Sequence, residues 1–342
     1  METPVDPSQI LATGFGFWPS KILLSAVELE LFTVLGDGSR TARELGERLG
    51  LHPRAWYDFF DALVAIGMLE RDGDGEAGRY RNTAATGLFL DKNKPDNYVG
   101  GILEMANARL YRFWGDLTEA LRTGKPQNEI KSTGTSMFEE LYSQPARLEQ
   151  FMNAMAGISR ANFQAFADRF DLSKYATLCD VGGATGLLSI LVARRHPHLK
   201  CKSFDLPVVA PIARASIARA GLSDRIEAVG GDFFAAPLPK ADVVTMGMIL
   251  HDWNLPRKMQ LIRAVYEALP EGGAFVAIEN LIDDARRQNS FGLWMSLNML
   301  IEFGDAFDFT GADFARWCKE VGFRKVEVLP LNGPCSAGVA YK

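Results

Sequence analysis

The sequence has no C-x-x-C pair, no uninterrupted apolar run of about 18 residues, no internal repeat and no low-complexity tract. Each absence removes a class of protein. The four scattered cysteines, Cys179, Cys201, Cys318 and Cys335, make neither a disulfide framework nor a zinc site. Cys179 and Cys201 sit in apolar, strand-like runs, so buried free thiols in a reducing cytoplasm are expected. Without a long apolar run, nothing is expected to span a membrane. The opening Met1-Glu-Thr-Pro-Val-Asp-Pro lacks the basic and apolar regions of a signal peptide. Positive charge is also missing: a net charge of −5 gives no electrostatic reason to bind nucleic acid or an anionic membrane. What is present is an ordinary globular composition, 47% apolar and 23% charged over 342 residues, enough chain for two domains.

The first third reads as helical. Ile22, Leu23, Val27, Leu31, Phe32 and Leu35 recur at helical spacing within Ile10–Leu35, and Gly36-Asp37-Gly38 ends that helix. Thr41-Ala-Arg-Glu44 has the form of a capping box and opens a short helix. Pro53 suits the first turn of the next, which carries Trp56, Phe59, Phe60, Leu63, Val64 and Ile66. A strand from Met68, a tight turn and a return strand at Arg79-Tyr-Arg81 complete a winged-helix-like pattern. DNA binding is the obvious function for that pattern, yet Thr41–Leu90 holds six arginines against eight acids. The helix that would read the groove presents Asp58 and Asp61, so the basic footprint is absent. Packing against a second copy of the chain is the better expectation. Helices continue through Gly100–Leu121 and Ser136–Phe170, with large side chains that include Met105, Trp114, Met137, Phe138 and Tyr142. Most of such a stripe is plain core. Part of it could wall an aromatic ligand pocket.

After Asp171 short β-like runs alternate with helices. Strands are expected at Thr177–Val181, Lys200–Asp205, Ile226–Val229, Asp242–Met246 and Ala274–Ile278, with a closing pair at Lys325–Leu329 and Gly338–Tyr341. The alternation implies an α/β class, a doubly wound parallel sheet covered on both faces. The expected boundaries are residues 1–100, a helical linker over 101–170, and the α/β domain over 171–342.

Asp180-Val-Gly-Gly-Ala-Thr-Gly186 joins the first of these strands to a helix, the place where an open α/β sheet binds a ligand. Its glycines cannot be set into the G-x-G-x-x-G dinucleotide spacing. Asp205 ends the second strand, 25 residues after Asp180, where an acid can accept bonds from both ribose hydroxyls. Asp232 beside Phe233 suits the amino group and face of an adenine. No lysine or arginine falls within Asp180–Leu188 to hold a phosphate. A cationic, phosphate-free nucleoside fits this set, which favours S-adenosylmethionine (SAM) over NAD.

Four motifs now stand in order: Asp180–Gly186, Phe204-Asp205-Leu206-Pro207, Gly231-Asp232-Phe233-Phe234 and Leu250-His251-Asp252-Trp253. Together they resemble the small-molecule SAM-dependent O-methyltransferases, of the plant caffeate, animal acetylserotonin and bacterial tailoring types. Ser296-Leu-Asn-Met-Leu300 is similar to the acetylserotonin branch. The resemblance runs from about Ser20 to the C-terminus. It implies a Rossmann-like SAM domain preceded by a winged-helix-like dimerisation domain, hence a homodimer. It places Tyr142, Ser159, Asp180, Gly182, Asp205, Leu206, Gly231, Asp232, Phe233, Met246 and Met248 at the cofactor. It makes His251 the catalytic base, held by Glu279 and Asp308, and puts Asn298 at the substrate. Two departures stand out. Ala184 replaces a common third glycine, which matters little if its φ is negative. Phe307-Asp308-Phe-Thr310 replaces Arg-Glu-Arg-Thr, so the acid is shortened and its basic neighbours are gone.

The chemistry needs alignment of donor and acceptor, and a deprotonated acceptor. A phenol ionises near pH 10, so a histidine taking its proton is worth about 10²–10⁴ in rate. His52 lies in the winged-helix turn, and His196 and His198 flank Pro197; His251 alone follows a strand end. No sequence spacing suggests a metal site, so metal-independent catalysis is expected. Trp18, Met105, Trp114, Trp294 and Met299 suggest a large apolar cavity for an aromatic or polyketide-like acceptor. Methyl transfer to nitrogen, a different SAM-dependent reaction, or a ligand-sensing DNA-binding regulator are the competing readings.

Overall fold

A computed structural model describes residues 5–134 and 141–342. The chain divides into two compact units, Met1–Arg112 and Phe113–Lys342. Met137 and Phe138, and the start of the helix expected from Ser136, lie outside the described residues.

In the first unit, helices Ala42–Arg48 and Trp56–Ala65 pack with a three-stranded antiparallel sheet. Its strands are β1 (Ser39–Thr41), β2 (Leu69–Asp72) and β3 (Arg79–Asn82), in the order β1-β3-β2. The Thr41–Glu44 capping box forms as expected. The core is Leu31, Phe32, Leu45, Phe60, Leu63 and Tyr80. Asp61 is tied down: Tyr80 and Arg71 both donate to its Oδ1, each at 2.7 Å. One helix expected over Ile10–Leu35 is instead three, Ser8–Gly14, Phe17–Glu28 and Leu31–Leu35. The second break falls at Glu30, which stands at φ 56°. Ile10, Leu11, Phe15, Phe17 and Trp18 are exposed on the first two. Ser8–Glu28 is long and apolar enough to cross a membrane by length and composition alone, because its few polar residues are diluted by large apolar ones.

The second unit is built on a seven-stranded sheet of order β6-β5-β4-β7-β8-β10-β9. The strands are β4 (Thr177–Val181), β5 (Lys200–Asp205), β6 (Ile226–Gly230), β7 (Val243–Gly247), β8 (Ala274–Glu279), β9 (Lys325–Pro330) and β10 (Ser336–Tyr341). The first five run parallel, and β10 pairs antiparallel with both β8 and β9. Successive side chains of a strand point to opposite faces. Accordingly Val243, Val276 and Ile278 enter one buried cluster with Phe166 and Leu188. Val244, Phe275 and Ala277 enter the other with Leu261, Val265 and Phe314. Two covered faces explain why these strands read as unbroken apolar runs. The chain leaves β4 toward β5 and β6, then returns to lay β7 and β8 on the opposite side. The carboxyl ends of β4 and β7 therefore flank the switch point where α/β sheets bind ligands.

Candidate active site

The turn after β4 is built for close approach. Gly182 has φ 74°, and a Cβ there would stand 2.3 Å from Ile249 Cδ1. A Cβ on Gly183 would meet Ser203 Oγ at 2.3 Å, and one on Gly231 would meet the Phe204 ring at 2.5 Å. Ala184 has φ 47°, so the condition under which its methyl would be harmless is not met. Met248, at the end of β7, is also left-handed at φ 56°. Two of the strained non-glycine residues thus border the same crevice.

The acids at the strand ends have different situations. Asp180 is buried, accepts from Thr245 Oγ1 at 2.8 Å, and is pushed by burial up to about 7. Asp205 accepts the Ala184 and Leu206 backbone N–H groups at 2.8 and 2.7 Å, one on each oxygen. Each carboxylate oxygen keeps a further lone pair, so a pair of ribose hydroxyls remains compatible with it. Asp232 is exposed and accepts the Phe234 N–H at 2.8 Å. Phe233 and Phe234 meet Trp253 edge-on, at 6.0 and 4.7 Å. Tyr142 packs with Ala184 and Leu206 against Leu148 and Met152. Its phenol is held above the ordinary range by burial and by the Asp205 and Asp252 carboxylates. Ser159 is half-buried on helix Pro145–Arg169, whose Phe163 lies over Gly247. Met246 is wholly buried in the core. The free lone pairs of Asp205 and the aromatic edge fit a nucleoside-containing cofactor.

His251 lies on a short turn, Leu250–Asp252, after β7, and is 6% exposed. Its Nδ1 is 3.4 Å from Asp308 Oδ1, and its Nε2 is 3.3 Å from Asp252 Oδ1. Glu279, at the end of β8, accepts the Ile249 and Leu250 N–H groups at 3.2 and 2.9 Å. The two acids therefore divide the work: Asp308 faces the imidazole and Glu279 anchors the turn beneath it. Burial opposes a charge on His251, but Asp252, Glu279 and Asp308 outweigh it and push the imidazole up to about 10. Burial raises Glu279 to about 7 and Asp252 to about 6. Atoms of His251, Glu279 and Asp308 come within 4.8 Å of one another, a grouping that sequence spacing did not reveal. The arrangement can accept a proton and stabilise the resulting imidazolium.

The remaining expected residues lie on or near helix Ser290–Phe303. Trp294 is exposed, Met299 is buried, and Asn298 Oδ1 accepts from Trp114 Nε1 at 3.0 Å. Met105 ends helix Gly100–Met105 in the other unit. Sequence reasoning passed over Asp252 and Lys258. Asp252 stood inside a quoted motif. Lys258 gave a signal too, because it falls on the apolar stripe of Met259, Leu261, Ile262 and Val265.

Comparison with known proteins bears directly on this geometry. An O-methyltransferase domain model matches residues 114–324, and an O-methyltransferase dimerisation domain model matches residues 11–92. The chain belongs to the O-methyltransferase family. The tetracenomycin polyketide synthesis 8-O-methyl transferase TcmO of Streptomyces glaucescens is 39% identical over 98% of this chain and 97% of its own. The N,N-dimethyltransferase OxyT of Streptomyces rimosus is 37% identical over 94% and 93%. The crystal structure of human N-acetylserotonin methyltransferase in complex with SAM superposes with a TM-score of 0.90, at 27% identity, over 100% of this chain and 99% of its own. The protein is a SAM-dependent O-methyltransferase, with a dimerisation domain ahead of its catalytic domain.

Proposed function

We propose that this O-methyltransferase methylates a phenolic hydroxyl of an aromatic or polyketide-derived small molecule, with His251 as the general base. The observation that carries the reading is the imidazole at the end of β7, enclosed by Asp252 and Asp308 over a turn held by Glu279. SAM, when bound, supplies a methyl group on a sulfonium, a leaving group that needs no help from an acid. The chain's own contribution is to align the acceptor and remove its proton. Asp205 would take the ribose, with Leu206 beside it, and Asp232 and Phe233 the adenine. Gly182 and Gly231, whose missing side chains make room for Ile249 and Phe204, would hold the turns beside the cofactor. Tyr142, Ser159, Asp180 and Met248 would complete that side, with the buried Met246 beneath them. Trp294, Asn298 and Met299 are the proposed acceptor contacts.

A base near pKa 10 matches a phenol in proton affinity, so the transfer is close to balanced. Its neutral fraction is small at pH 7, and the rate should rise with pH as that fraction grows. The names of TcmO and OxyT mark oxygen and nitrogen acceptors at nearly equal identity, so an amine acceptor is the second reading. An amine already carrying a lone pair has less use for this acid-flanked histidine. The enzyme is proposed to work as a cytoplasmic homodimer, without nucleic acid or membrane. Its four described cysteines are buried and unpaired, and Asp61 is engaged by Arg71 and Tyr80. Tritiated SAM offered with a panel of phenols, naphthols and aromatic amines tests the acceptor. Transfer to hydroxyls is expected, and transfer confined to amines would overturn the reading.

A further inference from the structure

Lys258 is a lysine with no solvent exposure, on helix Leu255–Ala268. Its Nζ donates to the Trp253 carbonyl, on the residue that follows the His251 turn. The ammonium lies 3.7 Å from the centroid of the Phe307 ring and 5.8 Å from that of Phe309. Those two rings bracket Asp308 in sequence. The carboxylates whose charge acts on this ammonium are Glu279, Asp308, Asp252 and Asp305. Glu279 Oε2 and both oxygens of Asp308 are buried with no hydrogen-bond partner among the described residues. A cluster of acids so poorly bonded needs a positive charge nearby, because an uncompensated buried charge is costly. Burial lowers Lys258 to about 8, so it still carries its proton at neutral pH.

We propose that Lys258 is a positioning residue for the His251 base. Its ammonium is the counter-charge that lets Asp252, Glu279 and Asp308 crowd around the imidazole, and it limits how tightly that imidazole holds a proton. The inference rests on the reading of His251 as the base. The charged groups around the imidazole form one coupled set drawn from several elements. Asp252 on its own turn, Glu279 on β8 and Asp308 beyond helix Ser290–Phe303 act on the imidazole directly; Lys258 on helix Leu255–Ala268 and Glu302 at the end of helix Ser290–Phe303 act on Asp252, and Asp305 acts on Lys258. Removing one positive charge from such a set raises the proton affinity of the cluster as a whole. At a separation of several ångströms in a protein environment the displacement is about one pH unit.

The test uses the full-length enzyme. In an Asp252→Asn background, where loss of one acid brings the His251 transition down into an accessible range, Lys258 is compared with Lys258→Met. The imidazole is followed by NMR of labelled histidine and assigned through His251→Gln. Lys258→Met is expected to raise the His251 transition by about one pH unit and lower kcat at pH 7 about tenfold, with KM for SAM unchanged. If Lys258→Met does not fold, Lys258→Gln is measured in the same way. Identical His251 transitions in folded proteins with and without Lys258 would overturn the proposal. A transition that moves while kcat does not follow it would keep the counter-charge and remove the base assignment instead.

Discussion

Ala184 shows how one backbone angle alters the meaning of a residue. Its methyl group sits at φ 47°, a region where an L-residue is disfavoured by about 1–2 kcal/mol relative to the right-handed one. Its N–H is nevertheless held by Asp205 Oδ2 at 2.8 Å, so the fold keeps the turn. Ala184→Gly relieves that strain and adds freedom to the unfolded chain. The net gain expected is about 1 kcal/mol, or a rise of a few degrees in Tm, by calorimetry on the cofactor-free enzyme. A lower Tm would show that the methyl's packing with Tyr142 and Leu206 outweighs the strain. Sequence could raise this question but not answer it, because φ depends on how Phe204 and Asp205 receive the turn. The roles of Asp308 and Glu279 were hidden for a related reason. Both were legible as acids near His251, yet which one faces the ring depends on tertiary placement.

Among the elements, strands buried on both faces were the most legible. β4 and β5 fall where the apolar runs placed them, and the other expected strands of that sheet differ by a residue or two at their ends. Their strength as signals comes from the parallel sheet itself, which demands unbroken Val, Ile and Ala rather than alternation. Weak signals belonged to elements stabilised by partners far along the chain. β1 is three residues long and exists because Ser39–Thr41 pairs with Arg79–Arg81. The break at Glu30 carries no glycine or proline to announce it. Lys258 was legible only in hindsight, as a charge on a stripe where burial requires compensation.

The first unit leaves apolar side chains of its own exposed. Phe15, Phe17 and Trp18 are exposed there, within a segment that the dimerisation model includes. Ser8–Glu28 is apolar enough by composition to pass as a membrane span, and its exposed rings suit a subunit interface. Trp18→Asp is expected to shift sedimentation from dimer toward monomer, with the α/β unit still folded. An unchanged dimer would move the interface elsewhere.

The claim that holds these scales together is that His251 removes the acceptor's proton. It is tested by kcat against pH, with one phenolic acceptor, for the wild-type enzyme and His251→Ala. SAM affinity by calorimetry serves as the control that the crevice is intact. The variant is expected to bind SAM normally and to lose about 10²–10⁴ in kcat at pH 7, with both rates rising in parallel toward pH 10 as the imidazole loses its proton in one and the phenol ionises unaided in the other. A variant within a few-fold of wild type across the range would contradict the account and leave alignment alone as the source of the rate.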